Sequence, residues 1–259
     1  MMIKNFLKRF GVFFGNLLFP PKCVGCKEFI QKDIFDECKI PFCEKCRVKW
    51  EYEKLDICPD CGLEMTLCNC GTKLLKKSGV EDYIKLANYS VAKKSVGKSA
   101  VLYMKRHKND RALNYFADQL SYPVSRKIKT LEGKRAVFTY VPRSKKSVTE
   151  YGFDQARELS KRIAARCDAE FIPLFERSGV KTTEQKKLKM SERVKNAKMS
   201  YRLNVKNFQK LSEDDCIFIV DDVLTSGASV LGCLSVLKPK FEGEVVCVTV
   251  ARTGKSRKK

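Results

Sequence analysis

The first stretch of the chain is amphipathic. Ile3, Phe6, Leu7, Phe10, Phe13, Phe14, Leu17 and Leu18 recur at steps of three and four, one apolar face of a helix that Pro20 and Pro21 end. Beyond Gly71, apolar runs alternate with helical periods. The pattern predicts strands at 83–91, 136–141, 170–174, 216–220 and 244–251, and helices at 94–105, 111–129, 153–166 and 228–237. Strands separated by whole helices specify an α/β fold with a mostly parallel sheet flanked by helices. Segment 177–198 breaks the pattern: it holds eight Lys or Arg against two acids and reads as a long solvated loop.

Between these regions the chain is punctuated by cysteine. Nine of its 13 cysteines fall between Cys23 and Cys70. Three C-x-x-C pairs, Cys23/Cys26, Cys43/Cys46 and Cys58/Cys61, are followed by a C-x-C, Cys68/Cys70. Two thiolates two residues apart grip one tetrahedral ion from a single turn, and two such turns close a four-sulfur zinc site. Gly25 and Gly62 lie inside or just after these turns. Sequential pairing puts Cys23, Cys26, Cys43 and Cys46 on one ion and Cys58, Cys61, Cys68 and Cys70 on the other. Interleaved pairing satisfies the spacing equally, and Cys38 is a spare. Sites closed by four protein ligands make both ions structural. A disulfide scaffold would require secretion, and the opening stretch lacks a small-x-small cleavage site.

No apolar run approaches the roughly 20 residues that span a bilayer, so the chain reads as cytoplasmic. Its first helix suits two roles. It can dock on the chain's own core or on a neighbouring subunit, or it can lie on the inner face of the plasma membrane, where Lys4, Lys8 and Arg9 meet anionic lipid. The organisation expected is a helix at 1–21, a double zinc ribbon at 22–75 and an α/β domain at 76–259. Chelation would then unfold the cysteine module alone.

Charge narrows the function. Lys and Arg number 52 against 30 acids, a formal +22, and eight thiolates with two Zn²⁺ reduce that only to +18. The single histidine, His107, excludes any site needing two His ligands. The basic excess suits nucleic acid, bound in a salt-dependent, sequence-blind manner through Lys93, Lys94, Lys98, Lys105, Arg106, Lys108 and Arg111, the long loop (Lys186, Lys187, Lys189, Arg193) and the basic tail. Trp50, Tyr52, Tyr89 and Tyr103 are candidates for base stacking, although most would sit in a core.

The sharpest chemical signal is Ile217-Phe218-Ile219-Val220-Asp221-Asp222-Val223-Leu224-Thr225-Ser226-Gly227-Ala228-Ser229. An apolar strand delivers two carboxylates at its carboxyl end, where open α/β sheets bind ligands. The following Thr-Ser-Gly-Ala-Ser opens a helix whose free amides, hydroxyls and positive end suit a phosphate dianion. Helix capping alone explains one or two of these residues and leaves the others unexplained.

This stretch resembles the phosphoribosyl diphosphate (PRPP) signature of type I phosphoribosyltransferases. Tyr140-Val141-Pro142-Arg143-Ser144-Lys145, the helix start Tyr151-Gly152-Phe153-Asp154-Gln155, the cysteine module and the Leu18-Phe19-Pro20-Pro21-x-Cys23 entry add a resemblance, over nearly the whole chain, to the ComF (ComFC) late-competence family. That family joins a double zinc ribbon to a phosphoribosyltransferase-like domain. Lys105 and the loop residues Thr183, Gln185, Leu188, Arg193 and Asn196 also match. The chain departs from the family's Arg-Gly-Phe-Asn-Gln by carrying Tyr151 and Asp154. The resemblance implies that Thr225, Ser226, Gly227, Ala228 and Ser229 bind the 5-phosphate and that Asp221 and Asp222 bind the ribose with Mg²⁺. Arg143, Ser144 and Lys145 would face pyrophosphate. It further implies a role in natural transformation with imported single-stranded DNA, beside a competence helicase or the membrane DNA-uptake machinery. The alternative is a metabolic phosphoribosyltransferase acting on a nitrogenous base or amine.

Overall fold

The computed structural model describes residues 2–31, 38–75, 78–89, 95–178 and 199–253. Among these, seven strands occur: β1 (Asp82–Asn88), β2 (Ala136–Tyr140), β3 (Glu170–Phe171), β4 (Phe175–Arg177), β5 (Tyr201–Leu203), β6 (Cys216–Leu224) and β7 (Val245–Arg252). The helices are α1 (Met2–Leu18), α2 (Glu44–Lys54), α3 (Val96–Arg106), α4 (Asp110–Ile128), α5 (Lys145–Tyr151), α6 (Gln155–Arg166), α7 (Val205–Phe208) and α8 (Ala228–Leu237). Five strands form one parallel sheet in the order β1-β7-β6-β2-β3, and β4 pairs antiparallel with β5. This is the expected α/β fold. Among the described residues no helix is long and apolar enough to cross a membrane.

Side-chain alternation sorts the sheet residues into two cores. Phe138, Phe218, Val220, Val246 and Val248 pack on the face covered by α3, α4 and α6. Val137, Ile217, Ile219, Val245 and Cys247 turn to the other face, against Cys233, Leu234 and Leu237 of α8. Burial on both faces explains why these strands read as unbroken apolar runs.

The chain leaves β2 for the edge strand β3, passes through the β4–β5 hairpin and returns to β6 on the opposite side of β2. The carboxyl ends of β2 and β6 therefore flank the point where connections diverge, the place where parallel sheets open a ligand crevice.

Two expectations are corrected. The strand at 216–220 runs on to Leu224, because Asp221, Val223 and Leu224 keep pairing with Thr249, Ala251 and Arg252 of β7. The strand at 170–174 ends at Phe171. Residues 145–151, to which the apolar pattern assigns no element because none of them is buried, form a helix started by Ser144, whose Oγ accepts from the Ser147 amide.

The first cysteine cluster is built into the main core. Trp50 of α2 is fully buried, 5.3 Å edge-on to Phe116 of α4 and stacked 6.0 Å from Phe42. The Glu53 carboxylate caps α3, accepting from the amides of Val96 (2.6 Å) and Gly97 (2.8 Å). By contrast, Phe10, Phe14, Leu17 and Leu18 of α1 and Phe19 just after it are exposed.

Candidate functional site

The carboxyl end of β6 and the start of α8 enclose a cleft of about 330 Å³, lined by Lys105, Asp221 and residues 223–230. Gly227 is the N-cap of α8 and adopts a left-handed φ of 85° that glycine accepts without strain. No side chain caps the helix from that position; the nearest help is Ser226 Oγ, 3.3 Å from the Ala228 amide. The first turn of α8 therefore presents its amides to the cleft, as anion binding requires.

The two adjacent acids take different positions. Asp221 lines the cleft. Asp222 is 4% exposed, and its Oδ2 accepts from Gln155 Nε2 at 2.5 Å and pairs with Lys105 Nζ at 3.1 Å. Burial raises the Asp221 carboxyl well above the usual carboxylate range, and the negative Asp222 adds to the rise. Burial works against the Lys105 charge too, but Asp222 and Asp221 together outweigh it and hold its pKa above the ordinary lysine value.

The loop after β2 stands beside this cleft. The Arg143 amide donates to Asp154 Oδ2 (2.8 Å), and its guanidinium donates to the Lys105 carbonyl (2.9 Å) while lying 5.0 Å from the Tyr151 ring centre. Asp154 also caps α6 through the amides of Ala156 and Arg157. Asp154 and Tyr151 thus both hold Arg143. Arg143 and Lys145 line a second cleft, of about 690 Å³, together with Lys108, Arg157, Arg177 and Arg202. Ser144 is occupied as the cap of α5.

The eight predicted metal ligands gather in two groups, Cys23/Cys26/Cys43/Cys46 and Cys58/Cys61/Cys68/Cys70, each with its sulfurs within 4.8 Å of one another. The pairing is the sequential one. A tetrahedral ion with 2.3 Å bonds to sulfur sets its ligands about 3.8 Å apart, and Cys26 and Cys43 lie at 3.7 Å. The donor set and spacing fit zinc. Each group opens on the same bridged turn, Lys22 with Phe29 and Ile57 with Glu64. Lys27 and Gly62 occupy corresponding positions, both at φ 74°. Gly25 admits no side chain, since a Cβ would lie 2.9 Å from Cys46 Sγ. Cys38 belongs to neither group and donates to the Ile40 carbonyl.

Two cations lie against the second group: Lys85, inside β1, and Arg252, the first residue of the basic tail, which is 6% exposed and so, against expectation, offers no surface to nucleic acid. The Lys85 ammonium donates to the Cys68 carbonyl, and Arg252 donates to the Cys70 carbonyl at 3.1 Å. Burial pulls the Lys85 pKa down, while the Cys68 sulfur pulls it up. Their signal was a charged residue inside an apolar strand.

Among the stacking candidates, Trp50 is buried in the core and has no face free, whereas Tyr52 is exposed. Tyr103 carries the Lys27 ammonium 3.9 Å from its ring centre. Of the nucleic-acid candidates, Lys108 lines the second cleft, Arg106 ends α3, and Lys105 sits in the first cleft. Lys93, Lys94, Lys186, Lys187, Lys189, Arg193, the other loop matches and residues 254–259 lie outside the described residues. No protein-family model matches the chain, and no curated protein matches it.

Proposed function

We propose that this chain is a PRPP-binding, zinc-containing protein of the ComF type that handles imported single-stranded DNA. The observation that carries the ligand is the cleft itself: uncapped helix amides, a cleft-lining carboxylate and a lysine converge at the switch point of a parallel sheet. In this reading the 5-phosphate rests on the amides and hydroxyls of Thr225, Ser226, Gly227, Ala228 and Ser229. Asp221 takes the ribose diol, and Asp222 acts by fixing Lys105. Mg²⁺ bound with the ligand would offset the charge of pyrophosphate and favour the ionised form of Asp221, whose carboxyl is raised without it. The second cleft, lined by six Lys or Arg against three acids, Asp154, Glu158 and Glu176, supports an anionic partner that continues past the ligand, as a nucleic-acid strand does.

Titration calorimetry with PRPP and Mg²⁺ tests the ligand. Heat from the natural chain and none from Asp221→Ala/Asp222→Ala at unchanged zinc content is the expected result; no heat from either removes the reading. Binding of short single strands should weaken steeply with salt, and flat, weak binding would remove the DNA role.

The second cleft also favours a second reading, a transferase that passes ribose 5-phosphate from PRPP to a base or amine held there. Pyrophosphate release with a panel of bases separates the two.

A further inference from the structure

Two nearly inaccessible cations face the second cysteine cluster. Lys85 is 1% exposed and Arg252 6%. The Lys85 ammonium donates to the carbonyls of Cys68 and, at 3.3 Å, Tyr83, and lies against the Cys68 sulfur. The Arg252 guanidinium stands 3.7 Å from Cys58 Sγ and pairs with the half-exposed Asp60. A buried ammonium is strongly unfavourable unless an anion faces it. Asp60 already faces Arg252, but Lys85 has no carboxylate beside it among the described residues. Four thiolates around a divalent ion carry two negative charges that supply its counter-anion, whereas four protonated thiols offer none.

The same elements reach the phosphate loop from two sides. Arg252 is the register partner of Leu224. Its neighbour Thr253 donates its amide to the Leu224 carbonyl (3.0 Å) and its hydroxyl to the Thr225 carbonyl (3.1 Å). On the other side, the turn that follows Cys70 lies directly beneath Gly227. A Cβ on Gly227 would meet Thr72 Oγ1 at 2.7 Å and Leu75 at 2.8 Å. The cluster's last ligand and one of its counter-cations are therefore joined to the two segments that clamp residues 224–227.

We infer that metal held by Cys58, Cys61, Cys68 and Cys70 sets the geometry of the 224–228 loop, with Lys85 and Arg252 as positioning residues. The first cluster has no such connection among the described residues. The ligand arm of this inference rests on the PRPP reading; the loop arm does not.

The test uses the full chain with bound metal counted. Cys61→Ser weakens the second centre at its exposed ligand, Cys26→Ser does the same at the first, and Arg252→Gln leaves all eight thiols in place. Hydrogen exchange is followed at 224–230 and, as a control, at 136–140; PRPP with Mg²⁺ is titrated alongside. Cys61→Ser should lose one metal, speed exchange at 224–230 about tenfold and weaken PRPP about tenfold, with 136–140 unmoved. Arg252→Gln should loosen the same segment with its thiols intact, and it carries the test if Cys61→Ser does not fold. Cys26→Ser should lose one metal and change exchange at 224–230 by no more than at 136–140, since its effect is on the shared core. Unchanged exchange at 224–230 in both Cys61→Ser and Arg252→Gln overturns the inference, as does equal loosening in Cys26→Ser that spares 136–140. If exchange moves as expected while the natural chain binds no PRPP, the coupling stands and only the ligand reading falls.

Discussion

Lys105 Nζ lies 3.1 Å from Asp222 Oδ2, an ion pair whose carboxylate is almost wholly buried and whose lysine is open on the cleft side. Removing the lysine leaves Asp222 with Gln155 as its remaining side-chain donor among the described residues. Lys105→Met should cost about 1–3 kcal/mol, because a buried charged acceptor loses a partner. Neutralising the acid as well, in Lys105→Met/Asp222→Asn, should recover part of that loss. Urea unfolding of the four proteins in the cycle measures it; an identical cost for Lys105→Met with and without Asp222 would show that the pair contributes nothing.

Asp221 gives stability a pH dependence of definite sign. Its carboxyl is raised to about 8 by burial, with the neighbouring Asp222 charge next in size. Between the ordinary carboxylate value and that pH, the folded chain keeps a proton that the unfolded chain has shed. Stability from this group is therefore full in acid and is lost as pH rises through that window. Asp221→Asn should flatten the profile and be more stable than the natural chain at pH 8. Urea midpoints from pH 5 to 9 check this, and parallel profiles would refute it.

The parts of this molecule legible in the sequence are those with a period. The apolar runs ending in Tyr140, Val220 and Ala251 are strands because both faces are buried, and the C-x-x-C spacing gives both cysteine groups because metal geometry constrains spacing. The β4–β5 hairpin was illegible: three residues on each side, Phe175–Arg177 and Tyr201–Leu203, carry no pattern and are separated by a long basic segment. The division of labour between Asp221 and Asp222 was equally hidden. It is set by Gln155 and Lys105, residues distant in sequence whose contacts no local pattern encodes. Lys85 and Arg252 were visible only as charges interrupting apolar strands, and their meaning comes from what the fold places beside them.

Metal removal should act on more than the cysteine module. Cys46 and Trp50 are in one continuous core with Phe116, Phe138 and Phe218, so the boundary at residue 75 is not a boundary in packing for the first cluster. Chelation is expected to lower a single cooperative melting transition of the whole chain, with no separate unfolding of the first 75 residues. Trp50→Ala, with metal present, should lower the same transition by about 3–5 kcal/mol. Scanning calorimetry that resolves two independent transitions, only one of them metal-dependent, would contradict this.

Glu53 offers the most local test of that fusion. It lies in the last turn of α2, yet its carboxylate accepts from Val96 N, Gly97 N and Ser95 Oγ at the start of α3. A negative charge there meets the positive end of the helix and satisfies amides that would otherwise be orphaned. Glu53→Ala should therefore cost about 1–2 kcal/mol, the magnitude of a lost N-cap. Glu53→Gln keeps an acceptor oxygen but not the charge and should fall between Ala and the natural residue. Because α3 carries Lys105 into the cleft, the Ala variant should also speed hydrogen exchange in the first turn of α3 while leaving both metals bound. Full metal retention with unchanged exchange at residues 96–99 would show that the carboxylate does not hold the helix.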